Sequence, residues 1–276
     1  RKLVAEWNAE KAAAEKSGVP FAKKFPLGAL NARAILEQHR PSCLFNGGIH
    51  PLGPQTLRGI LWYQGEHNTA RAADYPPLFK ALIADWRAFL GQGDIPFLFC
   101  QLSAYGAPLD RSGDSYARLR EAQRQVALSG IPATGMAVTL DLGVRDNVHF
   151  KNKRPVGHRL ALLARALAYG ETGLEASGPV LESAVRRGAA VRLTFAHADG
   201  LVVRQAAGAP SGFELAGDGG VFHPADASVD GAALMLVCDK VPEPRRVRYA
   251  WGNFPAAVTL FNAAGLPASP FVGDIR

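Results

Sequence analysis

Three times between Arg58 and Tyr169 a short apolar run is followed by a longer segment with helical spacing. The runs are Arg58-Gly-Ile-Leu-Trp-Tyr63, Pro96-Phe-Leu-Phe-Cys-Gln-Leu102 and Gly135-Met-Ala-Val-Thr-Leu140. The second is apolar without alternation, as expected of a strand covered on both faces. After the first run, Asp74 offers an N-cap and Pro76 and Pro77 suit a first helical turn. Leu78, Leu82, Trp86, Phe89 and Leu90 then recur at helical spacing up to Gly91. Ser115 to Ser129 turns Leu119, Ala122 and Val126 to one side. Pro155 to Tyr169 does the same with Val156, Leu160, Leu163, Ala164 and Leu167, and Gly170 supplies its stop. Strand-helix alternation implies right-handed crossovers and a parallel sheet. Doubly wound sheets usually carry about five strands, so three predict an α/β sheet that is N-terminally incomplete.

The flanks read differently. Arg1 to Lys16, rich in Ala, Glu and Lys, predicts a surface helix carrying Leu3, Val4 and Trp7 on one side. From Phe21 to Pro54 prolines interrupt any period, which predicts an irregular connection with a short helix at Ala29 to Gln38. Beyond Thr172 come short alternating runs at Ala190–Phe195, Leu201–Arg204, Ala233–Cys238 and Arg246–Ala250, with Asp199-Gly200, Asp218-Gly219 and Asp230-Gly231 as turn signals. The expected organisation is therefore a helix and connection over 1–57, an α/β domain over 58–172, and a small antiparallel, sandwich-like β domain over 176–276.

Composition narrows the function. The 276 residues carry a net charge of +7, but the cations are scattered and no aromatics interleave with a basic run, so nucleic acid is not expected. Cys43, Cys100 and Cys238 are too few and dispersed for a disulfide framework or a zinc site and predict free thiols, packed or partly packed. His39, His197 and His223 lack partners at metal-ligand spacing, and His50 and His158 read as turn and surface residues. No metal or organic cofactor is expected. No run of eighteen apolar residues and no signal peptide occurs, and a chain opening on Arg1 predicts a fragment or a processed protein.

Chemistry concentrates in two loops. Asp141-Leu-Gly-Val-Arg-Asp-Asn-Val-His-Phe-Lys-Asn-Lys153 follows the third strand at the edge where open α/β sheets bind ligands. Asp146 and His149 form Asp-x-x-His, a spacing that lets a carboxylate accept from Nδ1 and leaves Nε2 to take a proton. Taken alone, these four letters fit a solvated loop histidine beside a helix start better. Trp62-Tyr-Gln-Gly-Glu-His-Asn68 follows the first strand at the same edge. There Gln64 offers an amide donor, Gly65 a backbone N–H for an oxyanion, and Glu66 a carboxylate able to orient neighbours. A strand-to-helix turn that uses Gly65 for its geometry is the alternative.

Four segments together resemble bacterial sialate O-acetylesterases, a branch of the SGNH hydrolases. They are Asn46-Gly-Gly-Ile-His-Pro51, Arg58–Asn68, Tyr116-Ala-Arg-Leu-Arg-Glu-Ala-Gln123 and Asp146–Lys153, joined by Tyr249-Ala-Trp and Leu266-Pro-Ala-Ser-Pro-Phe271. The resemblance runs from about Pro41 to Phe271. It implies a flavodoxin-like three-layer α/β/α catalytic domain and a serine-esterase mechanism. It also implies His149 as base, Gln64 and Gly65 as oxyanion donors, and Asp146 as orienting acid, with Asp141 at the strand end as an alternative for that last role. The implied partner is an O-acetylated sugar, either sialic acid or a polysaccharide residue, and the implied location is periplasmic or secreted.

Three departures stand out. His67 replaces the family's usual Ser, and Phe150 its usual Pro after the histidine. The family's Gly-Gln-Ser-Asn nucleophile turn occurs nowhere in these residues, which places the serine on a missing N-terminal segment or chain and leaves this chain alone without turnover. Gly113-Asp-Ser115 imitates the related signature, but it follows a polar loop and fits an N-cap better. The rival expectation is a non-catalytic carbohydrate-binding protein on the same fold.

Overall fold

The computed structural model describes residues 2–23 and 42–276; the short helix expected at Ala29 to Gln38 lies outside the described residues. Residues Arg1–Thr56 and Leu57–Arg276 form two compact units. In the first, helix α1 (Lys2–Ser17) is tied to the chain that follows it. Trp7 Nε1 donates to the Lys23 carbonyl at 2.9 Å, its ring meets Phe21 edge-on, and Lys23 Nζ bonds Glu10. The expected irregular connection contains a π-helical turn at Phe45–Ile49 and a 3-10 turn at His50–Leu52. Cys43, expected to be packed or partly packed, is exposed.

The second unit opens with a parallel sheet of β1 (Ile60–Trp62), β2 (Phe97–Cys100) and β3 (Thr134–Ala137) in the order β1-β2-β3. Helices α2 (Tyr75–Leu90) and α3 (Ser115–Ala127) cover one face and α4 (Arg154–Leu167) the other, giving three layers. Phe97 and Phe99 have no exposed surface. Burial of such side chains is worth roughly 1.5–3 kcal/mol each, and it is what holds α2 to the sheet.

The strands end earlier than the apolar runs. β3 stops at Ala137 because Thr139 turns back, its Oγ1 donating to the Gln101 carbonyl at 2.6 Å, and Leu140–Leu142 then forms a 3-10 turn. The core stripe of α2 is Tyr75, Phe79, Ile83, Arg87 and Leu90, whereas Leu78 is 58% exposed. Aromatic bulk decides this: Phe79 packs edge-on against both Phe97 and Phe99, and Arg87 reaches the carbonyls of Ile95 and Pro132. On α4, Val156 and Leu163 are buried as expected, while Leu167 stays 40% exposed.

From Val180 onward the chain is antiparallel. One sheet has the order β4-β5-β10-β9, built from Val180–Arg187, Ala190–Ala196, Ala233–Val237 and Asp226–Asp230. The other has the order β13-β11-β7-β8, built from Phe271–Asp274, Arg246–Tyr249, Phe213–Ala216 and Phe222–Pro224. Val202–Val203 and Leu260–Phe261, β6 and β12, form a short ribbon. The core between these sheets also takes in Ala104, Val138 and Leu140 of the parallel part, so the two parts share one interior. Gln101 Nε2 crosses between them to Ser269 Oγ at 2.7 Å.

Candidate active site

At the carboxyl ends of the three parallel strands lies a cavity of about 710 Å3 lined by Tyr63, Glu66, His67, Thr69, Tyr105, Tyr116, Val148, His149 and Lys153. Each parallel strand contributes through the loop that follows it, and α3 contributes Tyr116 from its first turn. Such an edge collects side chains because the strands end there while the helices carry the chain away.

The loop after β1 is fixed from below. Trp62 stacks on Phe79 and meets Trp86 edge-on, and the Tyr63 hydroxyl continues into Ser103 Oγ (3.4 Å) and Thr139 Oγ1 (2.8 Å). Gly65 is buried with φ +152°, a backbone that disfavours any L side chain. A Cβ there would also stand 3.0 Å from Leu119 and 3.2 Å from Gln123 Nε2. Gln123 has no exposed surface: its Oε1 accepts from the Leu102 N–H at 2.8 Å, and its Nε2 lies 3.3 Å from the Gln64 carbonyl. The chain thus needs glycine at 65 so that α3 can lock the ends of β1 and β2 together. Gln64 donates from Nε2 to Asn68 Oδ1 at 2.6 Å, which orients its amide and leaves its second N–H uncommitted. Among the described residues the Gly65 N–H meets no protein acceptor.

The histidine loop is anchored by Phe150, which is 3% exposed and packs with Leu98, Cys100 and Val156. The residue in the family's proline position therefore acts as a hydrophobic anchor. His149 itself is exposed, and its backbone N–H donates to Asn147 Oδ1 at 2.9 Å. Lys153 Nζ sits 3.2 Å from the centre of the Phe150 ring and 5.5 Å from that of Tyr63, a cation over two aromatic faces.

The cavity brings His149 and Glu66 together. Gln64, Gly65, Asp146 and Asp141 are outside its lining. Asp146 is exposed, and among the described residues its carboxylate is not hydrogen-bonded to His149. Asp141 is committed elsewhere, accepting from Arg159 at 2.6 and 2.7 Å. Ser115 is not in the lining either. It is the first residue of α3, with Asp114 in the capping position without a side-chain cap bond, and Asp110 Oδ2 takes up the Ser115 N–H at 2.9 Å. The N-cap expected at Ser115 is thus replaced by a carboxylate five residues upstream. Asp74 does stand before α2, but its side chain makes no cap bond.

Electrostatics follow from the walls. Burial pushes the Tyr116 hydroxyl up to about 12, with the Glu66 carboxylate adding to it, and burial likewise raises Tyr63 against the opposing hydrogen bond from Ser103. Burial lowers the Lys153 ammonium, and Glu66 works against that. Cys100 beneath the loop is pushed up to about 12 by burial, so it is a packed thiol and not a nucleophile. Among the described residues no group of three His, Cys, Asp or Glu side chains is placed to hold a metal. His197 pairs through Nδ1 with Glu175 at 2.9 Å.

Reading the motifs missed the tyrosine walls and Lys153, although Tyr63, Tyr116 and Lys153 lie inside or beside the strings that carry the resemblance. The signal was an aromatic or cation next to each singled-out residue, at strand ends and at the start of α3.

The family model described as "Carbohydrate esterase, sialic acid-specific acetylesterase" matches residues 48–165. Sialate O-acetylesterase of Rattus norvegicus is 37% identical over 182 residues, 60% of this chain and 32% of that protein. The Mus musculus sialate O-acetylesterase is 42% identical over 158 residues, 51% of this chain and 29% of its own length. The crystal structure of a carbohydrate acetylesterase from Xanthomonas citri superposes with a TM-score of 0.79 at 43% identity, covering 85% of this chain and 54% of that one. The chain thus spans about half of that structure and about a third of the curated relatives. The parallel sheet, the edge cavity and these likenesses agree: residues 48–165 match the carbohydrate esterase family of sialic acid-specific acetylesterases.

Proposed function

We propose that this chain is the histidine-bearing part of a carbohydrate O-acetylesterase, a carboxylic ester hydrolase that uses a serine supplied from outside residues 1–276. The observation that carries the reading is the edge cavity, which joins His149 to Glu66, Lys153 and three tyrosines inside the family-matched segment. In this reading the serine Oγ attacks the acetyl carbonyl while His149 takes its proton, and the resulting oxyanion is held by the Gly65 N–H and the Gln64 amide. The tetrahedral species collapses, the sugar hydroxyl leaves with the proton from His149, and water releases acetate by the same route in reverse. Asp146 is the orienting acid; its exposed carboxylate is engaged with no other group among the described residues.

The substrate class follows from the relatives, which are called sialate O-acetylesterase and carbohydrate acetylesterase. Acetylated sialic acid and acetylated polysaccharide residues both fit, and the expected location is extracytoplasmic. The working division is an α/β domain over 58–172 and a β domain over 176–276. Acetate release from acetylated sugars, measured on a protein in which a Gly-Gln-Ser-Asn segment precedes this chain, tests the reading. Acetate release that depends on both that serine and His149 supports it. Binding of acetylated sugars without any acetate release supports a carbohydrate-binding protein instead.

A further inference from the structure

A second cavity, of about 530 Å3, lies beside the one that holds His149, and the two share Thr69 as a wall. It is lined by the turn after β1, by Pro76 at the start of α2, by α3, and by one residue from the far end of the chain, Trp251. Trp251 belongs to the Tyr-Ala-Trp string at the end of β11, which the esterase mechanism does not use.

The backbone around Trp251 is arranged at a cost. Ala250, 2% exposed, has φ +47°, a region an alanine rarely adopts, and Gly252 has φ +119°. Such a conformation persists only if its surroundings over-determine it, and here they do. The Ala250 N–H donates to the Gly212 carbonyl at 2.8 Å, and the fully buried Arg120 donates to the carbonyls of Gly252 and Asn253. Asn253 donates from its N–H to Gly113 at 2.9 Å and from Nδ2 to Asp110 at 2.7 Å, and its Oδ1 accepts the Tyr116 N–H at 2.9 Å. All these bonds fasten the residues on either side of Trp251 and none its indole, which is half-buried with an N–H that has no partner among the described residues.

Around this ring stand planar, multidentate donors. Arg118 is held by Asp114 at 3.0 Å, Gln125 by Glu121 at 3.3 Å, and Arg71 lines the same space. A flat apolar ring beside pre-oriented guanidinium and amide groups suits a pyranose, which offers an apolar C–H face and a rim of hydroxyls.

We propose that this cavity is a subsite for a neighbouring sugar residue, with Trp251 as its stacking platform, so that the substrate is an acetylated oligo- or polysaccharide and not a lone acetylated sugar. The proposal rests on the esterase reading of the adjoining cavity. The β domain then serves catalysis by carrying a binding surface to the edge of the α/β sheet.

The test compares acetylated tetrasaccharides of xylose, mannose, galacturonic acid and sialic acid with their acetylated methyl monosaccharides, using the serine-bearing protein. For at least one sugar, kcat/KM for the tetrasaccharide exceeds that for the monosaccharide by about tenfold, and Trp251→Ala reduces this ratio roughly threefold to tenfold, the range expected of a stacked ring. Trp251→Phe retains most of the ratio, and Arg71→Ala, at an exposed position, lowers it without endangering the fold. Calorimetric binding of the deacetylated tetrasaccharides is read in parallel. Ratios near one for all four sugars, or a ratio unchanged in folded Trp251→Ala protein, overturn the subsite. Tetrasaccharide binding that depends on Trp251 without acetate release from any ester keeps the subsite and overturns the esterase reading.

Discussion

Arg159 grips the carboxylate of Asp141 through two hydrogen bonds of 2.6 and 2.7 Å, and its Nη1 also donates to the Val138 carbonyl at 2.6 Å. The pair is largely buried and clamps the end of β3 to α4, directly under the histidine loop. Asp141 is thereby committed to Arg159, which in the proposed mechanism leaves the orienting role to Asp146.

This division predicts different phenotypes for the two acids. Arg159→Met leaves Asp141 unpaired in a mostly buried place and should cost about 3 kcal/mol of stability, read as a lowered denaturation midpoint with unchanged slope. Asp146→Asn should leave the midpoint in place and lower kcat by about tenfold or more. A kcat loss in Asp141→Asn with no loss of stability would reverse the assignment.

Gln64→Ala should lower kcat more than it raises KM, because a donor aimed at the tetrahedral oxyanion acts chiefly in the transition state. The Asn68 contact makes the amide a pre-oriented donor, so Asn68→Ala should give a weaker change of the same kind. Steady-state kinetics on acetylated methyl glycosides read both. A pure KM effect would move Gln64 to substrate binding.

Asp110 carries a pH dependence. Its carboxyl is held well below the usual range, first by Asn253 Nδ2, then by Ser112 and by the Ser115 N–H. A carboxylate favoured in the folded state adds stability that is fully present above the unfolded pKa of about 4 and fades as pH falls toward the folded value. Asp110→Asn should therefore melt below wild type at pH 6, and the gap should narrow below about pH 4. Thermal melts of both proteins across that range decide it; a gap that widens in acid contradicts the assignment.

Much of the architecture was legible in the sequence because strand and helix periods are local. Phe97-Leu-Phe-Cys100 reads as a buried strand from its own letters, and Leu119, Ala122 and Val126 mark the inner face of α3. What escaped depends on distant partners. Leu78 and Phe79 are equally apolar on paper, and only the rings of Phe97 and Phe99 across the sheet decide which is buried. Phe271–Asp274 becomes a strand through pairing with Arg246–Tyr249, more than twenty residues back along the chain. In the site, His149 and Glu66 were found through motifs, but the Arg159 partner of Asp141 and the Asn253 clamp on Asp110 are tertiary contacts that spacing cannot show.

His149 is proposed as the base of an esterase whose serine lies outside these residues. The most direct test is the turnover of a small aryl acetate by residues 1–276 alone and by the same chain preceded by a Gly-Gln-Ser-Asn segment, each with and without His149→Ala. Turnover is expected only when that segment is present, and His149→Ala should lower it at least about a hundredfold. Near-full activity of a folded His149→Ala protein, or hydrolysis by residues 1–276 alone that Ser115→Ala abolishes, would contradict the account.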